Sequence, residues 1–390
     1  MPPYQHFHLI KTCDGARTGE LNTLHGKVLT PVFLPVGSQA TVKSLTPGEI
    51  RDTGFNMILA NTYHLYLRPG IDVIEKMGGL HRFMAWDGAI LTDSGGYQVF
   101  SLAPLRRLSD DGVMFRSHID GTEHFITPEL AIQYQETLGA DIIMVLDECS
   151  AYGDRSEKIQ AAMDRTHRWA ERCLHAWKKR DQALYAIVQG GMSPPLREKS
   201  AQFLRSLDFP GYAIGGLSVG EPKEITLALV AQTASLLPAD RPRYLMGVGA
   251  PDDIVQGVAR GVDIFDSALP TRVARNGALF TRQGRVNIRR AAFQNLEGPV
   301  DPTCDCYTCR TFSAAYLSHL FRSEELLALR LATLHNLRFI YNLVGQMRGA
   351  ILDGTFTQFR DDFLAGYRTT DEPVRLAQKQ KWLKERGAQQ

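Results

Sequence analysis

GAILTDSGG, residues 88–96, is the stretch from which the fold can be read. Its first half is apolar without polar alternation, which is how a strand buried on both faces reads. Its second half is Asp93, Ser94, Gly95 and Gly96, so the strand stops there and a polar, tightly turning segment begins. Seven further runs share this form: PVFLPVG (31–37), NMILANT (56–62), DIIMVLDEC (141–149), ALYAIVQGG (183–191), GYAIGGLS (211–218), RYLMGVG (243–249) and VDIFDSALPT (262–271). Helical spacing fills intervals between them, at 128–138, 156–177, 195–207, 224–237 and 252–260. Thr127 before Pro128, and Ser193 near Pro195, are helix-start signals. Strand–helix alternation means parallel βαβ units. Eight of them in roughly 250 residues predict an α/β fold of the (β/α)8 TIM-barrel type. A doubly wound open sheet is the alternative, with no G-x-G-x-x-G fingerprint to support it.

Three regions fall outside the eight-fold count. Residues 1–30 predict N-terminal strands before the barrel, and residues 63–90 an insertion. Residues 300–352 predict a cysteine-bearing loop and a long helix starting at Ser323, with Leu327, Leu331, Leu334, Ile340, Val344, Met347 and Ile351 as its apolar stripe. The whole reads as one catalytic barrel domain over 1–370, including a metal-binding subdomain at 300–352, followed by a polar tail at 371–390.

Composition narrows the class. The chain has 390 residues, 44% hydrophobic and 22% charged, which fits a soluble globular protein and excludes disordered or collagen-like chains. A net charge of +2 excludes a histone-like polycation, so any nucleic-acid face must be local. There is no transmembrane run and no signal-peptide pattern at the start. Six cysteines are too few for a disulfide scaffold, which together with the missing signal predicts a reducing, cytoplasmic setting.

Active sites of such barrels lie at the C-terminal ends of the strands. There the third run ends in Asp93, Ser94, Gly95, Gly96 and Tyr97, the fourth in Asp147, and the fifth in Gln189. The sixth ends in Gly215, Gly216, Leu217 and Ser218, and the eighth carries Asp266. A lone aspartate at a strand end is more often a helix cap. Three at one mouth are harder to dismiss, because burying acids costs several kcal/mol unless they are paired or bound. Two carboxylates flanking one atom suit glycosidic-bond chemistry, a role open to Asp93 and Asp266. The glycine pairs would let backbone amides approach a flat ligand, and Tyr97 and Met246 are candidates to sandwich it; tight turns and plain core are the bland readings.

Cys304, Cys306 and Cys309, with His335 in the long helix, form a Cys3His set. Four protein ligands with no open position describe structural zinc, Zn2+, and not a catalytic metal. Cys149 and Cys173 read as buried thiols. From Ala268 to Asn295 stand Arg272, Arg275, Arg282, Arg285, Arg289 and Arg290 with no acidic residue. Arginine forks onto phosphate bidentately, so this run beside Asp266 points to a nucleic acid or, second, a phosphorylated small molecule.

DSGGYQVFSL (93–102), MVLDEC (144–149), IVQGG (187–191), GGLSVGE (215–221), YLMGVG (244–249), FDSALPTR (265–272) and the Cys3His set together resemble the tRNA-guanine transglycosylase (queuine tRNA-ribosyltransferase) family, over about residues 5–365. The resemblance implies a pentosyltransferase for queuosine biosynthesis that replaces guanine at the tRNA wobble position with a 7-deazaguanine. It implies that Asp266 is the nucleophile on ribose C1′, giving a covalent RNA–enzyme intermediate, and that Asp93 is the general acid/base. Asp147 would bind the base's N–H edge, Gln189 and the Gly216 amide its carbonyl, with Ser94, Gly95, Gly96 and Leu217 around it and Tyr97 and Met246 stacking. Gly247, Val248, Gly249, Ala250, Pro251, Asp252 and Asp253, with Thr271, Arg272, Val273, Ala274 and Arg275, match segments that hold the RNA around a U-G-U anticodon sequence. Glu148-Cys149 and Val219 resemble the bacterial type, which implies 7-aminomethyl-7-deazaguanine (preQ1) as incoming base and a homodimer. Ser218 departs from the commoner bacterial alanine, and FDSAL from the frequent FDCVL. Two other readings stand beside this one: a non-catalytic RNA-binding subunit of the same fold, and a sugar hydrolase on a barrel.

Overall fold

The computed structural model describes residues 6–98 and 106–369. β1 (Phe7–Cys13), β2 (Ala16–Thr23) and β3 (Gly26–Thr30) form an antiparallel sheet ahead of the barrel, as expected. The barrel strands are β4 (Val32–Pro35), β5 (Met57–Asn61) and β6 (Ala89–Asp93), and, after a small antiparallel sheet of β7 (Arg106–Leu108), β8 (Val113–Arg116) and β9 (Glu123–Ile126), β10 (Ile142–Met144), β11 (Ala183–Val188), β12 (Gly211–Ile214), β13 (Arg243–Leu245) and β14 (Ile264–Ser267). A hairpin of β15 (Ala278–Thr281) and β16 (Gly284–Asn287) follows.

All eight barrel strands are parallel and run in the order β4-β14-β13-β12-β11-β10-β6-β5. The two edges meet: Val36 bridges Leu59, and the Gly37 N–H donates to the Leu59 carbonyl at 2.7 Å. The sheet therefore closes, and the open-sheet alternative falls. β5, β6 and β11 are buried at every position, which is why they show no polar alternation. The crossover helices stand where their spacing placed them: Pro128–Leu138, Ser156–Ala176, Pro194–Ser206, Lys223–Leu236 and Pro251–Val258. Thr127 Oγ1 accepts from the Leu130 N–H at 3.3 Å and Ser193 Oγ from Leu196 at 3.5 Å, caps worth about 1 kcal/mol each.

Three expectations need correction. Residues 63–90 are not an insertion: three short helices, Thr62–Leu67, Ile71–Lys76 and Leu80–Met84, fill the barrel's own crossover from β5 to β6. The true addition there is the β7–β9 sheet, docked by Tyr63 Oη to His118 Nδ1 and Tyr66 Oη to His124 Nδ1, both at 2.9 Å. The long helix does not start at Ser323, which closes the preceding helix Ala314–Arg322; Glu324 turns through φ +56° and the long helix runs Leu326–Asp353. Leu327 is exposed, off the buried stripe.

The long helix packs its second half, including Leu337, Ile340, Val344, Met347 and Ile351, into the main core, and it lies against β1, β2 and β4. It thus serves as the barrel's eighth helix, with the cysteine loop spliced in before it. Its first turns, through Ala328 and Leu331, join a smaller core with Ala274, Leu279, Ile288, Leu317 and Phe321. The polar tail expected at 371–390 lies outside the described residues. Among the described residues no helix is long and apolar enough to cross a membrane.

Candidate active site

The parallel register carries each strand's last residue to one mouth. Asn61 pairs with Asp93 across β5 and β6, and Asp266 with Leu34 across β14 and β4. At the mouth lies a cleft of about 1110 Å3, lined by Asp93, Asp147, Gln189 and Asp266 together. That exceeds most small-ligand pockets, which leaves room beyond a single base.

Asp93 is 7% exposed, and its carboxylate accepts from the Asn61 side chain, from the Thr62 N–H at 2.9 Å and from Gln98 Nε2 at 2.7 Å. Burial pushes its carboxyl up to about 6 against those donors, and the negative charge of Asp266 adds to the push. Asp147 is 5% exposed and accepts from Gln189 Nε2 at 2.7 Å and Ser94 Oγ at 3.4 Å. Burial raises it to about 6 as well. Asp147 does not cap a helix, since the next one begins at Ser156. One oxygen of Asp266 accepts from Tyr244 Oη at 2.6 Å and from the Gly247 N–H at 2.8 Å. Burial raises this carboxyl too, while the two donors pull it back. Held from one side, Asp266 presents a fixed carboxylate edge to the cleft.

Two glycines are required by this geometry. A Cβ on Gly96 would fall 2.7 Å from the Asp147 carbonyl, and one on Gly216, at φ +66°, would overlap Gln189 Oε1. Both turns lie directly over the acid and the amide they cover.

Ser94, Gly95, Gly96, Tyr97, Gly216, Leu217 and Met246 all line the cleft, Tyr97 being exposed and Met246 partly buried. So do Gly247, Val248, Gly249, Ala250, Pro251, Asp252, Asp253, Arg272 and Val273. Thr271 and Ala274 do not: they lie on the buried face of the helix Leu269–Arg275, and Arg275 turns back to donate to the Thr271 carbonyl at 3.0 Å. Of the arginine run, Arg272 and Arg285 reach the cleft wall, whereas Arg289 donates to the Phe321 carbonyl and stacks on its ring. Cys149, expected as a plain buried thiol, also lines the cleft; burial pushes it up to about 12, so it stays neutral. Cys173 is buried as expected. Asn61 and Tyr244 are site residues that the sequence reading missed, because nothing in a strand's sequence says which of its polar residues faces a neighbouring acid.

The donor atoms of Cys304, Cys306, Cys309 and His335 lie within 4.8 Å of one another. His335 Nδ1 stands 3.5 Å from Cys306 Sγ and 3.3 Å from Cys309 Sγ. A tetrahedral zinc ion with ordinary Zn–S and Zn–N bonds spaces sulfur and nitrogen about 3.5 Å apart, so the set fits that ion. His335 Nε2 donates to the Phe280 carbonyl at 2.7 Å, which leaves Nδ1 as the ligand atom.

Fold and site together define a class: a (β/α)8-barrel enzyme with facing carboxylates at its mouth and a separate Cys3His lobe. Residues 13–369 match the family model described as Queuine tRNA-ribosyltransferase. The chain belongs to that family. It is 62% identical to the Queuine tRNA-ribosyltransferase of Dehalococcoides mccartyi (strain BAV1) over 368 residues, 94% of each chain. It is 58% identical to that of Pelotomaculum thermopropionicum over 354 residues (91% of this chain, 96% of the relative), and 56% identical to that of Herpetosiphon aurantiacus over 371 residues, 95% of each.

Proposed function

We propose that this chain exchanges guanine at the wobble position of tRNA for a 7-deazaguanine base, in queuosine synthesis, through a covalent RNA–enzyme intermediate. Asp266 attacks ribose C1′. The bond from C1′ to the purine nitrogen breaks, its electron pair leaves with guanine, and Asp93 supplies the proton. The incoming base returns a proton to Asp93 and displaces Asp266, so two inversions retain the sugar configuration. The single observation that carries this reading is the pairing at one mouth of a carboxylate anchored from one side, Asp266, with a buried acid near neutrality, Asp93. A group at about 6 can both give and take a proton near pH 7.

Around them, Asp147 takes the base's N–H edge, Gln189 and the Gly216 amide meet its carbonyl, and Tyr97 and Met246 close on its faces. The base must leave the anticodon stack to enter. The cleft wall from Gly247 to Asp253, with Arg272 and Arg285, is where the flanking nucleotides would lie. Thr271, Ala274 and Arg275 belong with that segment, Thr271 and Ala274 backing the wall from the buried face of the helix. We read the incoming base as preQ1, the anticodon sequence as U-G-U, the working form as a homodimer, and residues 1–370 as one catalytic unit. Zinc, held by the Cys3His lobe, supplies a structural crosslink and no chemistry at the cleft.

The test is release of labelled guanine from tRNA, chased separately with preQ1 and with queuine. The expected result is release with preQ1, abolished by Asp266→Asn with tRNA binding retained. No release with either base, from protein that binds tRNA, would falsify the catalytic reading; release with queuine alone would correct the substrate.

A further inference from the structure

Arg197, in the first turn of the helix Pro194–Ser206, is fully buried beneath the cleft. Its Nε donates to the Gly191 carbonyl at 2.8 Å and its Nη2 to the Gly215 carbonyl at 3.0 Å. Nη1 has no hydrogen-bond partner among the described residues, and none of the described carboxylates pairs with the guanidinium. Of the ionisable groups near it, Cys149 is a neutral thiol, and Glu221 is engaged by the Val219 and Gly220 amides at 2.9 and 3.0 Å and by Thr226 Oγ1 at 2.6 Å. No carboxylate touches the guanidinium, and Glu221, held in its charged form by its donors, offsets the buried cation only through space; so imperfect a pairing is costly, and such costs persist where they serve a site.

The Gly215 carbonyl that accepts from Arg197 belongs to the same peptide unit as the Gly216 N–H. That unit is conjugated, so a charged donor on its oxygen draws electron density from its nitrogen. We propose that Arg197 is a positioning residue that polarises the Gly215–Gly216 peptide, strengthening the Gly216 N–H as a donor to the carbonyl of the bound base. Its second bond, to Gly191, fixes the turn that carries Gln189, the other carbonyl-recognising group; a Cβ on Gly190 would fall 2.7 Å from the Arg197 backbone nitrogen, so turn and helix are packed in contact. As the guanine bond breaks, negative charge gathers on that carbonyl oxygen, and a polarised amide stabilises it where a neutral one does less. The inference rests on the reading that the Gly216 amide meets the base carbonyl.

The test compares two free bases on the full-length, zinc-replete protein: 7-deazaguanine and 2-amino-7-deazapurine, which lacks the oxygen. Calorimetric titration of Arg197→Met should show 7-deazaguanine binding weakened about tenfold while the oxygen-free base changes less than twofold. In exchange assays KM for the base should rise with KM for tRNA unmoved. Arg197→Lys keeps the charge on a compact head and should fall between. If the Met variant does not fold by its melting curve, the Lys variant carries the same differential test. Equal losses for both bases would make Arg197 a scaffold only, and no loss for either would remove it altogether. Wild-type protein that binds both bases equally would overturn the Gly216 reading, and the relay with it. A wild-type preference for the oxygen-bearing base that survives in both variants would overturn the relay alone.

Discussion

Asp93 and Asp147 are acids that the fold holds near neutrality, and this has opposite consequences for stability and for function. Both carboxyls sit at about 6, above the ordinary 3.8, so the folded chain binds protons more tightly than the unfolded one. Their contribution to stability is therefore most favourable below about pH 4, declines as pH rises through about 6, and is fully unfavourable above it, by about 3 kcal/mol per group. Asp147→Asn should raise the melting temperature at pH 8 and leave it nearly unchanged at pH 4, measured by calorimetry. The same variant should bind 7-deazaguanine weakly and without pH dependence. The wild-type protein should lose affinity for the base as pH falls through about 6 and Asp147 takes up a proton. A variant no more stable at pH 8 than the parent would show that Asp147 carries no such strain. At this scale the acids were legible from position alone, since each closes an apolar run. Their partners Asn61 and Tyr244 were not, because side-chain facing depends on register between strands far apart in sequence. Nor was it visible that Thr271 and Ala274 lie on the buried face of their helix and do not line the cleft.

Elements were legible where one physical signal ruled. The eight barrel strands are buried on both faces, the crossover helices keep helical apolar spacing, and two of them start at capping residues, Thr127 and Ser193, so runs, spacing and caps located them. The β7–β9 strands carry no continuous apolar run, β8 alternating buried and exposed positions over only four residues, and they were missed. The start of the long helix was misplaced because Ser323 before two glutamates reads as a helix start, whereas Ser323 closes the preceding helix and a single left-handed residue, Glu324, moves the new start to Leu326. Two substitutions calibrate the elements. Thr127→Ala removes one cap bond and should cost about 1 kcal/mol in denaturant unfolding. Met347→Ala opens a cavity where the long helix meets the barrel and should cost 2–5 kcal/mol, roughly, in the same measurement. A Met347→Ala cost no larger than that of the cap would mean the long helix is loosely seated.

For the whole molecule, the near-neutral chain brings only part of its arginine run to the cleft. Arg272 and Arg285 lie at the cleft, while Arg289 is spent on Phe321. Plotting log affinity for tRNA against log salt, Arg272→Ala and Arg285→Ala should each reduce the slope by about one, and Arg289→Ala should leave it unchanged. The metal lobe makes a second statement at this scale. Elemental analysis should find one zinc per chain, absent in Cys306→Ala. That variant should lose its small core of Leu317, Phe321 and Leu331 to early melting while keeping affinity for the free base, because the cleft lies in the other core. Loss of base binding in step with zinc would contradict that separation.

The long helix Leu326–Asp353 ends against the beginning of the chain. Lys11 donates to the Leu352 carbonyl, and Thr357 bonds Asp14 at 2.8 Å. During synthesis the first strands therefore wait for a partner made some three hundred residues later, as these positions show. A ribosome that stops anywhere before residue 326 releases a barrel with one side open, its apolar wall exposed to whatever chaperone or protease arrives first. Loss of the segment from residue 326 onward would on this account be as complete a loss as deletion of Asp93 and Asp266.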